Sequence, residues 1–416
     1  MIDTEKRLDT EKKIFGWGKY EFTILWWFFF IWGLVFLDRL VMPFLAPVVM
    51  ADLQITDQQY GLINTLTTGC YAVSAIFMTG FFEASGSRKK WLVLLCLLAG
   101  VFACLGAVTQ DVWQLLITRA AVGFVEGPIV PIMFAMLIRE SQKHRIALNS
   151  GLVNMGVAVI AITIGPIVVT QIAAHTKWRI AFCVAGVASI IGSLFLIKVL
   201  REVEYVPAEK KESAFKTFGK LLKYRNVVIC FITGILCMAG YWTLMLYATL
   251  FFSVEGGQEL TSAGLIVGVM GVLCIVWTVV VPKVSDFIGR KPAVIMWFAL
   301  CLIAPFVMFG APTSMGAIIM YMLVGGIPGA IFPFFQAIIP GESLPNFMLG
   351  TASGLITGVA EIIGGSAWPA VLGVIAANYG YSYVILSAGI AFAAAAVLAL
   401  LLKESKGQKI DDTLAT

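Results

Sequence analysis

Twelve apolar stretches follow one another along this chain, each long enough to cross a lipid bilayer, and they leave little room for anything else. They run approximately 22–51, 58–82, 90–109, 112–138, 146–172, 179–199, 227–254, 262–282, 292–310, 315–339, 348–375 and 381–402. A helix needs about 20 mostly apolar residues to span the hydrocarbon. Lipid offers no partner to backbone polar groups, so runs of this kind must close their hydrogen bonds internally, as helices. Composition agrees: 60% of the 416 residues are apolar and 13% are charged, where a soluble domain carries about 25% charged residues. A water-soluble enzyme and a disordered chain are both excluded. The charged segment Met1 to Tyr20 has no apolar start and is not read as a signal peptide. The eight cysteines fall inside apolar stretches without a C-x-x-C pair, so they read as small buried hydrophobes. Asp57 and Asp111 read as N-caps of the second and fourth spans.

Lysine and arginine placement predicts the orientation. Twenty-five of the 29 fall on one side: before span one, after spans two, four, six and eight, and after span twelve. Lys177 and Arg179 alone fall opposite, while Arg39 and Arg119 lie within spans. The asymmetry predicts a multi-pass protein of the cell (inner or plasma) membrane with both termini cytoplasmic. The polar stretch 201–225 divides the chain into an N-terminal six-helix bundle, 1–200, and a C-terminal one, 226–416.

The halves align to each other at an offset of 202 to 203 positions. Val122-Gly123-Phe124-Val125-Glu126-Gly127-Pro128 matches Val324-Gly325-Gly326-Ile327-Pro328-Gly329-Ala330, and Glu140-Ser141 matches Glu342-Ser343. Ser150-Gly151-Leu152 matches Ser353-Gly354-Leu355, and Pro166 matches Pro369. A six-helix unit has been duplicated with its orientation kept, so the symmetry axis lies along the membrane normal. Over nearly its full length the chain resembles the major facilitator superfamily. That resemblance implies an all-α membrane protein of twelve helices in two pseudo-symmetric six-helix bundles, with a midplane site between them. After spans two and eight, Glu83, Gly86 and Arg88, and again Asp286, Gly289 and Arg290, resemble the superfamily's loop signature. Ala84 and Phe287 stand where a basic residue usually follows the acid. The charges read as a conformational latch; the plainer reading is a tight cytoplasmic turn with basic anchors.

Five ionisable residues fall well inside the spans: Asp38, Arg39, Arg119, Glu126 and Glu361. Each costs several kcal/mol in hydrocarbon unless it meets a partner or a cavity. Arg119 and Glu126 are seven apart and share a helix face, so they can meet directly or share Asp38. The repeat sets Tyr241 and Trp242 opposite Asp38 and Arg39, which gives one half charge and the other aromatic surface.

Asp38 and Arg39 in span one, Tyr71 in span two, and Arg119 with Glu126 in span four resemble the anion:cation symporter family, which includes sialin-like and galactonate- and hexuronate-type transporters. The resemblance implies that Arg39 holds a substrate carboxylate, that Asp38 and Glu126 carry protons, and that Arg119 pairs with these acids. Glu361 departs from it, standing where that family has a neutral polar residue; its partner in the first half is Ala158. Thr357 lies one turn before it on the same face, and the stripe of Gly350 and Gly354 reads as a helix-packing surface. Asn154, the repeat equivalent of Thr357, is a further candidate substrate contact; it reads equally as a cap of a helix contact.

No phosphate-binding loop, metalloprotease helix, catalytic serine motif or nucleic-acid patch occurs. The expectation is therefore a monomeric secondary transporter and not an enzyme, with no cofactor and no metal. Its partners are a small organic anion, such as a sugar acid or other monocarboxylate, a proton, and the lipid bilayer. The alternative is an exchanger or exporter of a zwitterionic or amphipathic compound, with Glu361 binding a cationic group.

Overall fold

The computed structural model describes residues 13–14, 17–84, 87–202 and 219–407. Gly86 and most of the 201–225 linker lie outside the described residues. Among the described residues, twelve helices are long and apolar enough to cross a membrane: Lys19–Asp52, Asp57–Thr79, Arg88–Gly106, Val112–Glu140, Lys143–His175, Trp178–Val199, Arg225–Glu255, Leu260–Ile288, Arg290–Gly310, Met315–Gly341, Met348–Tyr379 and Tyr381–Ala399. They are spans one to twelve below. Asp111 caps span four, its carboxylate accepting from the backbone N–H groups of Trp113 at 2.8 Å and Gln114 at 2.9 Å. Asp57 does not cap span two. Thr56 does, in a reciprocal box: Gln59 N–H donates to Thr56 Oγ1 at 3.3 Å and Thr56 N–H to Gln59 Oε1 at 2.9 Å. Asp57 instead accepts the Tyr381 hydroxyl at 2.6 Å.

The chain forms two compact units, Met1–Gln54 with Gly69–Pro207, and Ile55–Thr68 with Ala208–Thr416. The first part of span two thus belongs with the C-terminal helices. Gly61 makes this possible, because a Cβ there would lie 2.5 Å from Pro369 O.

Within the first unit the helices close on glycine. A Cβ on Gly100 would lie 2.6 Å from Gly186 O, and one on Gly186 2.5 Å from Gly100 O, so spans three and six cross backbone to backbone. Spans one and five cross the same way, at Gly33 and Gly156, where a Cβ on Gly156 would sit 2.1 Å from Phe29 O. Lipid supplies no hydrophobic force between helices, so close backbone approach is what holds them. Gly156→Ala should therefore cost about 1–3 kcal/mol, seen as a lower melting temperature of the purified protein in detergent. An unchanged melt would mean that the crossing is looser than the geometry requires.

In the second unit Gly364 plays this part, its Cβ position lying 2.6 Å from Ile235 O of span seven. The stripe expected to pack does the opposite. A Cβ at Gly350, Gly354 or Gly358 would meet nothing within 4 Å, and neither would one at Gly151, the repeat equivalent of Gly354. The small residues there clear space instead of closing it.

Candidate functional site

The sequence breaks span one's ladder beside its two charges. Pro43 and Pro47 lie inside the helix, and Pro43 has no N–H to offer the carbonyl of Arg39. Span four breaks too: one helical segment ends at Glu126, Gly127-Pro128 intervenes, and a second begins at Ile129. Gly127 also lets span four approach span two, since a Cβ there would lie 2.4 Å from Tyr71 O.

These breaks assemble a charged centre in the first unit. Arg39 is 6% exposed and Glu126 is fully buried. Arg39 Nε donates to Glu126 Oε2 at 2.8 Å, and Nη2 lies 2.7 Å from the same oxygen. The Arg39 guanidinium sits over the Tyr71 ring at 4.0 Å and the Phe36 ring at 5.0 Å. A guanidinium between aromatic faces keeps its fork planar and accessible. Glu126 Oε1 is buried without a hydrogen-bond partner among the described residues.

Arg119 is also buried, but it makes a different contact from the one expected. Its Nη1 donates to the backbone carbonyl of Asp38 at 2.8 Å, and its guanidinium lies over Phe182 at 5.0 Å. Glu126 is taken by Arg39, so the acid seven residues along on the same helix face is not its hydrogen-bond partner. Asp38 is fully buried, and neither of its carboxylate oxygens has a hydrogen-bond partner among the described residues. Ser189 of span six lies beside it, its own hydroxyl also buried and without a partner among those residues. Ser189 was not legible as a site residue, because a serine in an apolar run carries no signal of which way it faces. Asn154 is exposed.

In the second unit, Tyr241 and Trp242 stand on span seven with ring centroids 5.8 Å apart. Glu361 opens a π-helical turn, Glu361–Ala367, in span eleven. Span five carries a π-helical stretch, Val157–Ile164, at the repeat-equivalent place. Such turns widen a helix locally and recur at functional sites. Thr357 turns its hydroxyl back onto Ser353 O at 2.8 Å.

The loop charges are brought together in the second half. Arg290 bonds Asp286 at 2.6 Å and Glu342 at 2.8 Å, and its Nη1 also reaches Ser285 Oγ at 2.7 Å. Gly289 has φ +98°, and a Cβ there would lie 2.7 Å from Glu404 Oε2. Glu404, which sequence reasoning passed over, accepts the N–H of Arg290 at 2.8 Å and of Lys291 at 3.1 Å. Burial alone would raise its carboxyl, but donors from Lys406, Arg290, Lys291 and Ser405 outweigh this and hold it below the usual carboxylate range. In the first half Arg88 is buried, and Glu202 accepts the N–H of Lys89 at 3.3 Å. The Glu83 side chain, like Gly86, lies outside the described residues.

The chain is similar to several known proteins. The protein is 27% identical over 383 residues to the multidrug resistance protein MdtG of Klebsiella pneumoniae (strain 342), covering 88% of this chain and 90% of that one. It is 25% identical to its namesake from Salmonella paratyphi A (strain ATCC 9150 / SARB42), covering 89% of this chain and 93% of that one. Among solved structures, a bacterial homolog of the human lysosomal transporter Spinster superposes with TM-score 0.79 at 15% identity, covering 92% of this chain and 96% of the other. A D-xylose-proton symporter does so with TM-score 0.75 at 15% identity, covering 94% and 100%. These two likenesses concern the fold alone. The family model of the Major Facilitator Superfamily matches residues 27–369, and with twelve membrane-spanning helices built on a duplicated unit, the chain belongs to that superfamily of transporters.

Proposed function

We propose that this protein is a proton-coupled secondary transporter that takes up a small organic anion, a sugar acid or another monocarboxylate, by alternating access. In this reading it acts as a monomer in the cell membrane with both termini cytoplasmic, and it is not an enzyme. The observation that carries the proposal is the state of the buried acids. Glu126 Oε1 and both oxygens of Asp38 are buried without a donor among the described residues. A buried carboxylate oxygen without a donor costs on the order of 1–3 kcal/mol or more. These oxygens are where a transported proton is held.

Arg39 then has two competing partners. A substrate carboxylate takes the guanidinium fork from Glu126, and the released Glu126 binds a proton instead of remaining a buried, uncompensated charge. Charge arithmetic favours this exchange. In the first unit Arg39 and Arg119 balance Asp38 and Glu126, so an added anion leaves an uncompensated negative charge unless a proton accompanies it. Tyr71 and Asn154 in the first unit, and Tyr241, Trp242, Thr357 and Glu361 in the second, complete the proposed substrate contacts. Asp286, Gly289 and Arg290 form the proposed latch with Glu342, and Glu83, Gly86 and Arg88 are its first-half counterpart.

Uptake into proteoliposomes, using a panel of sugar acids with and without an imposed pH gradient, tests the reading. Accumulation that ignores the gradient rejects proton coupling. Arg119 serves the switch and not the substrate grip, because its hydrogen bond goes to the Asp38 backbone. Arg119→Ala should abolish proton-driven accumulation and leave measurable substrate binding. Complete loss of binding in a folded Arg119→Ala protein would place this residue in the substrate site.

A second reading is exchange or export of a zwitterionic or amphipathic compound. The name multidrug resistance protein, carried by curated relatives, favours it. Substrate-driven efflux from preloaded vesicles, without uptake of any acid, would replace the first reading with this one.

A further inference from the structure

The second unit holds an acid for which an anionic substrate alone supplies no counter-charge. Glu361 is half-buried in span eleven, at the start of the π-helical turn Glu361–Ala367. Gly365, one turn on, clears the space for its carboxylate: a Cβ there would lie 2.5 Å from Glu361 Oε2 and 3.0 Å from Trp242 Nε1. The carboxylate and the indole of span seven therefore converge on the same glycine. Tyr241, whose ring neighbours that of Trp242 at 5.8 Å, lies within electrostatic reach of Glu361. A carboxylate beside an indole, with a second aromatic ring next to that indole, is chemistry that can hold a positively charged nitrogen, by Coulomb attraction and by the ring quadrupoles.

Span eleven carries open space at three glycines before this place. Gly350, Gly354 and Gly358 lead towards Glu361 on the helix, and a Cβ on any of them would meet nothing within 4 Å. Span five has open space at Gly151 but Ala158 where Glu361 stands. At the repeat equivalents of Gly350, Gly358 and Glu361 the first half has Ala147, Met155 and Ala158, so the glycine face that ends in an acid belongs to the second half alone.

We propose that Glu361, with the rings of Trp242 and Tyr241 and the space cleared by Gly365, is a subsite for a cationic nitrogen on an apolar body, so that the transported molecule carries a positive group. This rests on the reading of the chain as a transporter and is independent of Arg39 gripping a carboxylate.

The test is equilibrium binding of tetraphenylphosphonium and of benzyltrimethylammonium to the purified full-length protein in lipid nanodiscs, with uncharged triphenylphosphine oxide alongside. The wild-type protein should bind at least one of the two cations and bind triphenylphosphine oxide at least about tenfold more weakly. Glu361→Gln should lower cation affinity about tenfold or more. Gly365→Ala, which fills the cleared space and keeps the carboxylate, should also lower it, and both variants should elute as monodisperse protein. Glu259→Gln removes an acid outside the subsite and should bind as wild type. If neither cation binds, or if Gly365→Ala and a folded Glu361→Gln bind like wild type, the subsite is overturned. Because no proton gradient is involved, that failure is distinct from a failure of proton-coupled anion uptake, which is read in proteoliposomes.

Discussion

Glu126→Gln should abolish accumulation of substrate against its gradient while leaving counterflow exchange intact. The amide keeps an acceptor for Arg39 Nε, which now donates to Glu126 Oε2 at 2.8 Å, so the geometry of span four against span one is retained. What the amide cannot do is take up and release a proton. Accumulation driven by a pH gradient should fall by at least about tenfold, to the level of simple equilibration. Each factor of ten corresponds to about 1.4 kcal/mol of lost coupling. Alkalinisation outside inward-transporting vesicles should vanish with it. Exchange of labelled for unlabelled substrate moves no net charge and should proceed. A Glu126→Gln protein that still concentrates substrate would remove this residue from the coupling step and make Asp38 the remaining candidate.

Arg39→Lys should lower substrate affinity on the order of ten- to a hundredfold although it conserves charge. The guanidinium presents Nε and Nη2 to a single carboxylate oxygen at 2.8 and 2.7 Å while its face lies 4.0 Å from the Tyr71 ring. An ammonium offers neither the planar fork nor the stacking face. Losing one charge-assisted hydrogen bond costs about 1.5–3 kcal/mol, the origin of the expected factor. Direct binding of the best acid from the proteoliposome panel, measured by calorimetry, reads this. Wild-type affinity in Arg39→Lys would reject the anchor.

Much of the architecture is legible without coordinates because it is written in one dimension. Span number follows from apolar run length, and the duplication follows from matched residues such as Glu140 and Glu342. The same holds for Asp111, a cap whose partners lie only two and three residues along the chain. Asp57 was misread because two cap formers stand side by side, and only the Gln59 side chain decides between them. The stripe of Gly350 and Gly354 was misread for a deeper reason. Glycine spacing marks a bare helix face, but whether another backbone fills it, as at Gly156, or nothing does, depends on a neighbour far away in the chain. The membership of the ion pairs was hidden in the same way. Helical spacing brings Arg119 and Glu126 onto one face, yet Arg39 takes the carboxylate and Arg119 takes a carbonyl in the turn that Pro43 weakens. Nothing local in span two announces that Ile55–Thr68 belongs with the C-terminal helices.

The two loop acids that cap spans three and nine say something about the ancestry of the gene. Glu202 takes the N–H of Lys89, and Glu404 takes that of Lys291, each across 113 residues of sequence. Acid and target are both displaced by 202 positions, in step with the repeat. The module that was copied therefore already reached past its sixth helix to an acid that tied its own third helix down. Each half thus fastens the start of its own third helix with an acid that follows its own sixth helix, and the two fastenings are copies of one another.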